Sequence, residues 1–111
     1  DSLVFKKTKA ILGGNVRFMV TGSAPIDKDV IDFLKICFCC PNMECYGLTE
    51  SAAGSAVMDV ADTITGHVGG PVESVKFRLK DLPEMNYVSS DKPYPRGEIC
   101  MKGPSIFHLQ L

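Results

Sequence analysis

The stretch Tyr46-Gly47-Leu48-Thr49-Glu50-Ser51 sets an aromatic ring, a glycine, a hydroxyl and a carboxylate within five residues. Each suits one part of a nucleotide that carries a divalent cation. The tyrosine ring offers a flat apolar face for a base, and glycine lets the backbone come close to a ligand because no side chain intervenes. The Thr49 hydroxyl can donate to a phosphate oxygen. Glu50 can ligate magnesium, which characteristically takes one or two carboxylates and fills its other positions with phosphate and water. A second stretch, Gly22-Ser23-Ala24-Pro25, can meet the base and a reacting carbonyl through main-chain groups alone. The first stretch has another reading: a strand end, a turn and a helix start, with Thr49 as the cap and Glu50 in a first turn favourable to the helix dipole. Spacing alone leaves both open.

The elements that must position these residues follow from periodicity. Ser2 to Leu12 is rich in helix formers and closes on Gly13-Gly14, the residues expected where a helix ends in a left-handed cap. Val16 to Thr21 is a short apolar run of the kind found in a strand covered on both faces. Beyond the Gly22–Pro25 turn, Val30, Phe33, Leu34, Cys37 and Phe38 fall on one side of a helix, with Lys28, Asp32 and Lys35 opposite. Asp27 is placed to cap that helix, Ile26 and Ile31 to staple it, and Pro41 to end it. Met43 to Tyr46 then reads as a second strand. A strand, helix and strand in this span predict a βαβ unit with parallel strands, and ligands of such sheets gather beyond the carboxyl ends of the strands. Gly22–Pro25 and Tyr46–Ser51 both sit there.

The second half has a different texture. Asp59 to Thr65 is polar and β-branched, and Gly66 to Pro71 is a glycine-rich connection. It lacks the Gly-x-Gly-x-x-Gly order and precedes no helix, so it is no dinucleotide fingerprint. Val75, Phe77 and Leu79 alternate with Lys76, Arg78 and Lys80, the period of a strand with one wet face. Gly97 to Lys102 is its expected antiparallel partner, reached through the proline-containing loop 81–96. The fold class expected is α/β: part of a parallel βαβ-layered sheet over residues 1–66, followed by a small antiparallel β section over 67–111.

Composition excludes several classes. With 111 residues, 45% hydrophobic and 23% charged, the chain is ordinary globular material for one domain at most, and a piece of something larger would look the same. A net charge of -1 gives no electrostatic footprint for nucleic acid; Lys6, Lys7 and Lys9 read as a solvated helix face. No apolar run approaches the ~20 residues of a membrane span and nothing resembles a signal peptide, so the segment is expected to be soluble. Cys37, Cys39, Cys40, Cys45 and Cys100 are odd in number and irregular in spacing. They fit neither a disulfide framework nor a zinc site; a reducing compartment and apolar filler roles are expected. His67 reads as a hydrogen-bonded structural residue, and His108 has no assigned role.

The order of several stretches adds to this. VRFMVTGSAPI, ICFCCP, YGLTES, TGHVGGPVES and PRGEICMKGPSIF, taken in sequence over Leu3 to Phe107, resemble the adenylate-forming (AMP-binding) enzymes. CFCCP and EMNY are similar to the long-chain fatty acid–CoA ligase branch. The resemblance implies a two-step reaction. A fatty acid carboxylate attacks the α-phosphate of ATP to give acyl-adenylate and pyrophosphate; the thiol of coenzyme A then displaces AMP. It implies that Tyr46 stacks on adenine, Thr49 contacts phosphate and Glu50 ligates Mg2+. Gly22, Ser23, Ala24 and Pro25 would line the adenine and acyl-carboxylate side, with the Gly47 main chain close to the ligand. The family's phosphate loop, ribose-binding aspartate and carboxyl-terminal lysine domain have no counterpart in these residues, and His108–Leu111 stands where the family continues with Gly-Tyr. The expectation is therefore a fragment, inactive alone, of an intracellular enzyme associated with the endoplasmic reticulum or other organelle membranes. Two alternatives are a non-catalytic binding or dimerising module and an adenylate-forming ligase for another acid class.

Overall fold

The structure is a computed structural model that describes residues 2–107; the His108–Leu111 ending lies outside the described residues. Helix α1 (Ser2–Ile11) is followed by strand β1 (Met19–Thr21), helix α2 (Lys28–Phe38) and strand β2 (Asn42–Tyr46). A 3-10 turn at Thr49–Ser51 leads to β3 (Ala56–Val57) and β4 (Gly70–Pro71). Strands β5 (Lys76–Lys80) and β6 (Glu98–Lys102) form a separate ribbon, with a second 3-10 turn at Pro83–Met85 between them.

The βαβ unit expected from periodicity is present. β1 and β2 pair in parallel, Met19 opposite Asn42 and Thr21 opposite Glu44. Asp27 caps α2, its Oδ1 accepting from the Asp29 amide at 2.8 Å, which satisfies one of the free donors of the first turn. The helix ends at Cys39, whose φ of 48° puts it in the left-handed region. α1 ends at Gly13 and Gly14, with φ of 79° and 76°, where the Gly14 amide donates back to the Lys9 carbonyl at 2.8 Å. This is the left-handed termination that glycine permits at least cost.

Three expectations are corrected. The strand predicted over Val16 to Thr21 shrinks to three residues and is not covered on both faces: Val20 is 50% exposed and Phe18 is exposed as well. Among the described residues β1 has one neighbour, β2, so one edge and part of each face lack a partner. The inner face of α2 is centred on Ile31, which is fully buried, while Leu34, Cys37 and Phe38 are half-buried. Val30 and Phe33, assigned to that face by their spacing, are exposed, because α2 meets α1 and β2 on the Ile31 side. The sheet is also mixed rather than wholly parallel. β3 pairs antiparallel with β2, and Gly70-Pro71, read as loop, pairs antiparallel with β3. The change from sheet to ribbon thus falls after Pro71.

The ribbon pairs antiparallel as expected, with Lys76 opposite Lys102 and Lys80 opposite Glu98. The ribbon meets the rest of the structure at few points: Val75, just before β5, is buried and the Phe77 ring meets Tyr46 edge-on with centroids 6.5 Å apart, while Phe77 and Ile99, on the side expected to be covered, remain exposed. Among the described residues the buried apolar core is small: Ile31, Cys40, Ala56, Met58 and Val75. The radius of gyration is 17.4 Å, whereas a compact chain of this length would have about 13 Å. The segment is therefore elongated, and apolar side chains such as Phe33 find no cover within it.

Loop 81–96 is long but tied internally. Asp81 accepts from the Ser89 amide at 2.7 Å, and Asp91 accepts from the Val88 amide at 3.1 Å and from Arg96 Nε at 2.8 Å. The Arg96 guanidinium also lies 5.0 Å from the Tyr87 ring centroid. The hydrogen bond donated by the Ser89 amide holds the Asp81 carboxyl below its ordinary value of 3.8. For Asp91 the hydrogen bond donated by the Val88 amide, supported by Arg96, has the same effect. A depressed folded-state pKa adds stability above the unfolded value, and that stability is lost as pH falls through the folded one. Relative to the intrinsic rate, amide exchange at Val88 and Ser89 is therefore expected to be slow and level at pH values above the ordinary aspartate range. On the same scale it should accelerate once pH drops below 3.8, and Arg96→Ala should accelerate exchange at Val88 while Asp91 is ionised and have little further effect once it is protonated.

Candidate functional site

The parallel pairing of β1 and β2 brings the chain out of the sheet twice at the same end, and a cavity of about 460 Å³ opens there. Three segments wall it: Thr21 to Ile26 after β1, Glu44 to Leu48 at the end of β2, and Gly66 to Val68 from the glycine-rich connection. Gly22, Ser23, Ala24, Pro25, Tyr46 and Gly47, singled out from the sequence, are thus brought together. Thr49 and Glu50 are not in the wall; they stand one turn further on.

The two loops are built from unusual backbone. Ser23 has φ of 74°, and Ala52 and Ala53, just past the 3-10 turn, have φ of 50° and 63°. Non-glycine residues in the left-handed region carry a conformational cost and collect at binding and active sites. Nothing in an Ala-Ala pair announces this, since alanine has no preference for that region. The glycines answer to the protein's own backbone. A Cβ at Gly47 would fall onto the Ala53 carbonyl, and one at Gly22 would lie 2.6 Å from Cys45 Sγ. Gly47 is therefore required by the return of the chain through Ala53 before any ligand is considered.

The turn itself is closed by Ser51. Its hydroxyl accepts from the Leu48 amide at 2.9 Å and donates to the Leu48 carbonyl at 3.0 Å, and the residue is almost wholly buried. This corrects the capping alternative read from the sequence: Leu48, not Thr49, occupies the cap position, and Ser51 supplies the polar closure. Thr49 is left exposed. Glu50 lies in the first turn and is half-buried, and among the described residues its carboxylate has neither a hydrogen bond nor an ion pair. Its carbonyl accepts from the Phe107 amide at 2.9 Å, which ties the end of the described chain to the turn.

Two wall residues were missed by sequence reasoning or given no site role. Glu44 is 8% exposed, and its Oε1 accepts from the Gly66 amide at 2.9 Å. A carboxylate in a run of strand residues was the available signal, but its partner is remote in sequence. His67 is hydrogen-bonded, as expected of a structural residue, yet it lines the cavity. Its Nδ1 accepts from the Gly69 amide at 3.0 Å, so Nε2 carries the proton directed at Asp62 Oδ2, 3.2 Å away. No lysine or arginine is among the lining residues. Among the described residues no three histidine, cysteine or acidic side chains converge as a metal-binding group.

An open α/β sheet with a cavity at the carboxyl ends of its parallel strands, walled by two strained loops, is the arrangement of nucleotide-binding α/β proteins. The model of the AMP-binding enzyme family matches residues 2–109, and the chain belongs to that family. In sequence it is 54% identical over 107 residues to the peroxisomal long chain acyl-CoA synthetase 7 of Arabidopsis thaliana, covering 96% of this chain and 15% of that protein. It is 50% identical to fatty acyl-CoA synthetase A of Dictyostelium discoideum, covering 96% of this chain and 16% of that protein. It is 42% identical to human long-chain-fatty-acid–CoA ligase 1, again over 96% of this chain and 15% of that protein. Among solved structures it resembles the A domain of the carboxylic acid reductase of Segniliparus rugosus, determined with AMP and a co-purified carboxylic acid. There the TM-score is 0.69 at 28% identity, over 95% of this chain and 15% of that one. The α/β class expected from the sequence is that of these adenylation domains. The chain spans about 15% of the length of the synthetases it matches.

The Gly22–Cys45 contact gives a direct test of how tightly the cavity wall is packed. Gly22→Ala is expected to cost about 1–3 kcal/mol by overpacking. Part of that cost should be recovered in a Cys45→Ala background, because the obstructing sulfur is gone. A double-mutant cycle in urea unfolding measures the coupling; no coupling would mean that the two side chains do not meet.

Proposed function

We propose that this chain is a section of a long-chain fatty acid–CoA ligase, in which residues 1–66 and 67–111 belong to one nucleotide-binding domain. One observation carries the reading: the cavity gathers Gly22–Pro25, Tyr46 and Gly47 in a chain half-identical to long chain acyl-CoA synthetases across nearly its full length. In the reaction, a fatty acid carboxylate oxygen attacks the α-phosphorus of ATP and pyrophosphate leaves. The thiolate of coenzyme A then attacks the acyl carbonyl, forming the thioester and releasing AMP. No covalent enzyme nucleophile is needed, and the protein's share is positioning and charge stabilisation.

Within that reading Tyr46 stacks on the base, and Gly22, Ser23, Ala24 and Pro25 present main-chain groups to the base and the acyl carboxylate, with the Gly47 main chain beside them. A wall without lysine or arginine suits the uncharged end of the nucleotide. The phosphates then run outward toward Thr49, whose exposed hydroxyl donates to them. Glu50, half-buried and without a protein partner among the described residues, suits the role of the single carboxylate that magnesium takes alongside phosphate oxygens. When bound, the ion would neutralise charge on the phosphates. ATP, coenzyme A and a long-chain fatty acid are the substrates in this reading, with no nucleic acid partner. No helix among the described residues is long and apolar enough to cross a membrane, and the reading places the enzyme inside the cell, on the endoplasmic reticulum or another organelle.

The test is fatty-acid-dependent ATP–pyrophosphate exchange by the longest protein that carries this segment, with and without Glu50→Gln. Long-chain-acid-dependent exchange that falls by about 100-fold or more in the variant is expected, as for loss of one preorganised charge-stabilising group. Residues 1–111 alone are expected to give no detectable acyl-CoA. Exchange with aryl or amino acids instead would move the proposal to another acid class. A folded protein that exchanges with no acid would leave Tyr46–Ser51 as a strand end and turn in a binding module.

A further inference from the structure

Glu44 is a charged side chain in the buried set, and it has no cationic partner among the described residues. Burying a carboxylate unpaired is costly unless hydrogen bonds compensate. The compensation is the Gly66 amide, 2.9 Å from Oε1 and 22 residues away in sequence. The rest of Glu44 is held firmly: it sits opposite Thr21 in the parallel register, and its carbonyl accepts from the Met58 amide at 3.0 Å. A rigid strand therefore reaches across the cavity to a loop.

That loop has few other ties on the cavity side. Among the described residues His67 is bonded to Gly69 in the connection and to Asp62 in the segment just before it, not to β1 or β2. Gly69 is packed so closely on β3 that a Cβ there would strike the Val57 carbonyl, which fixes the loop's far end. Its near end, at Gly66, has φ of 89°, a conformation glycine alone adopts readily. Among the described residues, the Glu44–Gly66 bond is the hydrogen bond that joins segment 66–68 to β2.

We infer that Glu44 is a positioning residue: its carboxylate sets the place of Gly66, His67 and Val68 and thereby the width of the cavity that receives the nucleotide. This rests on the function proposed above. Glutamine, which keeps an acceptor at the same reach, should replace it. Leucine, of similar size without an acceptor, should not.

The experiment uses the longest protein that carries this segment. Gly66 amide exchange and the KM and kcat of acid-dependent ATP–pyrophosphate exchange are compared for the natural protein, Glu44→Leu, Glu44→Gln and Glu44→Asp. In Glu44→Leu, Gly66 exchange is expected to quicken about tenfold and the KM for ATP to rise about tenfold with kcat within twofold, the scale of one lost hydrogen bond. Glu44→Gln should stay within about twofold of the natural protein in all three, as a retained acceptor requires. If Glu44→Leu does not fold, Glu44→Asp carries the test, because it keeps the charge but withdraws the acceptor and should quicken Gly66 exchange. Unchanged Gly66 exchange in a folded Glu44→Leu or Glu44→Asp protein would overturn the inference. So would a Glu44→Gln protein as impaired as Glu44→Leu, or a Glu44→Leu protein whose ATP KM is unchanged. The amide measurement uses no nucleotide, so it decides the tether even if the proposed activity fails.

Discussion

The parallel pairing of β1 with β2 is the constraint on which the rest depends. Two strands running the same way need a crossover longer than a turn, and α2 is that crossover, capped by Asp27 and ended by the left-handed Cys39. Parallel strands also deliver their carboxyl ends to one side, which is why the loops after Thr21 and Tyr46 emerge as neighbours. Once they do, the space between them is settled by close approach. Gly22 yields to Cys45, and Gly47 yields to the returning backbone at Ala53. The cavity is the gap these contacts leave, closed on its third side by the segment that Glu44 reaches.

The parts legible in the sequence were those whose signal is local. The helix of residues 28–38 announced itself through Asp27 and Pro41, the ribbon through the alternation of Val75 to Lys80, and the end of α1 through Gly13-Gly14. Strands of two residues, β3 and β4, offer no period to read. The face that α2 buries was misjudged because spacing gives a stripe, while the choice within that stripe belongs to the neighbours, here α1 and β2. At the site, Gly22–Pro25, Tyr46 and Gly47 came together as their residue types suggested. Glu44 escaped notice because its meaning lies in a partner 22 residues away, and the left-handed alanines because alanine gives no warning of such a backbone.

The extended shape has an energetic meaning. A small apolar core and side chains such as Phe33, 64% exposed, leave little burial to set against the entropy of ordering the chain. The strand pairings are supplemented by short ties that cost little chain entropy: the Ser51 hydroxyl on both polar groups of Leu48, the Asp27 cap, and Arg96 across its loop. The Ser51 tie lies directly before the left-handed Ala52 and Ala53 and helps to hold that strained turn.

The edge contact between Tyr46 and Phe77 joins the two sheets at the cavity wall. A ring carried on the end of β2 and met edge-on by a residue of the ribbon takes its tilt in part from each. A shift of the β5–β6 ribbon would therefore turn the Tyr46 ring and reshape that stretch of the cavity wall. The ribbon, whose residues do not themselves line the cavity, is in this way one of the elements that set its shape.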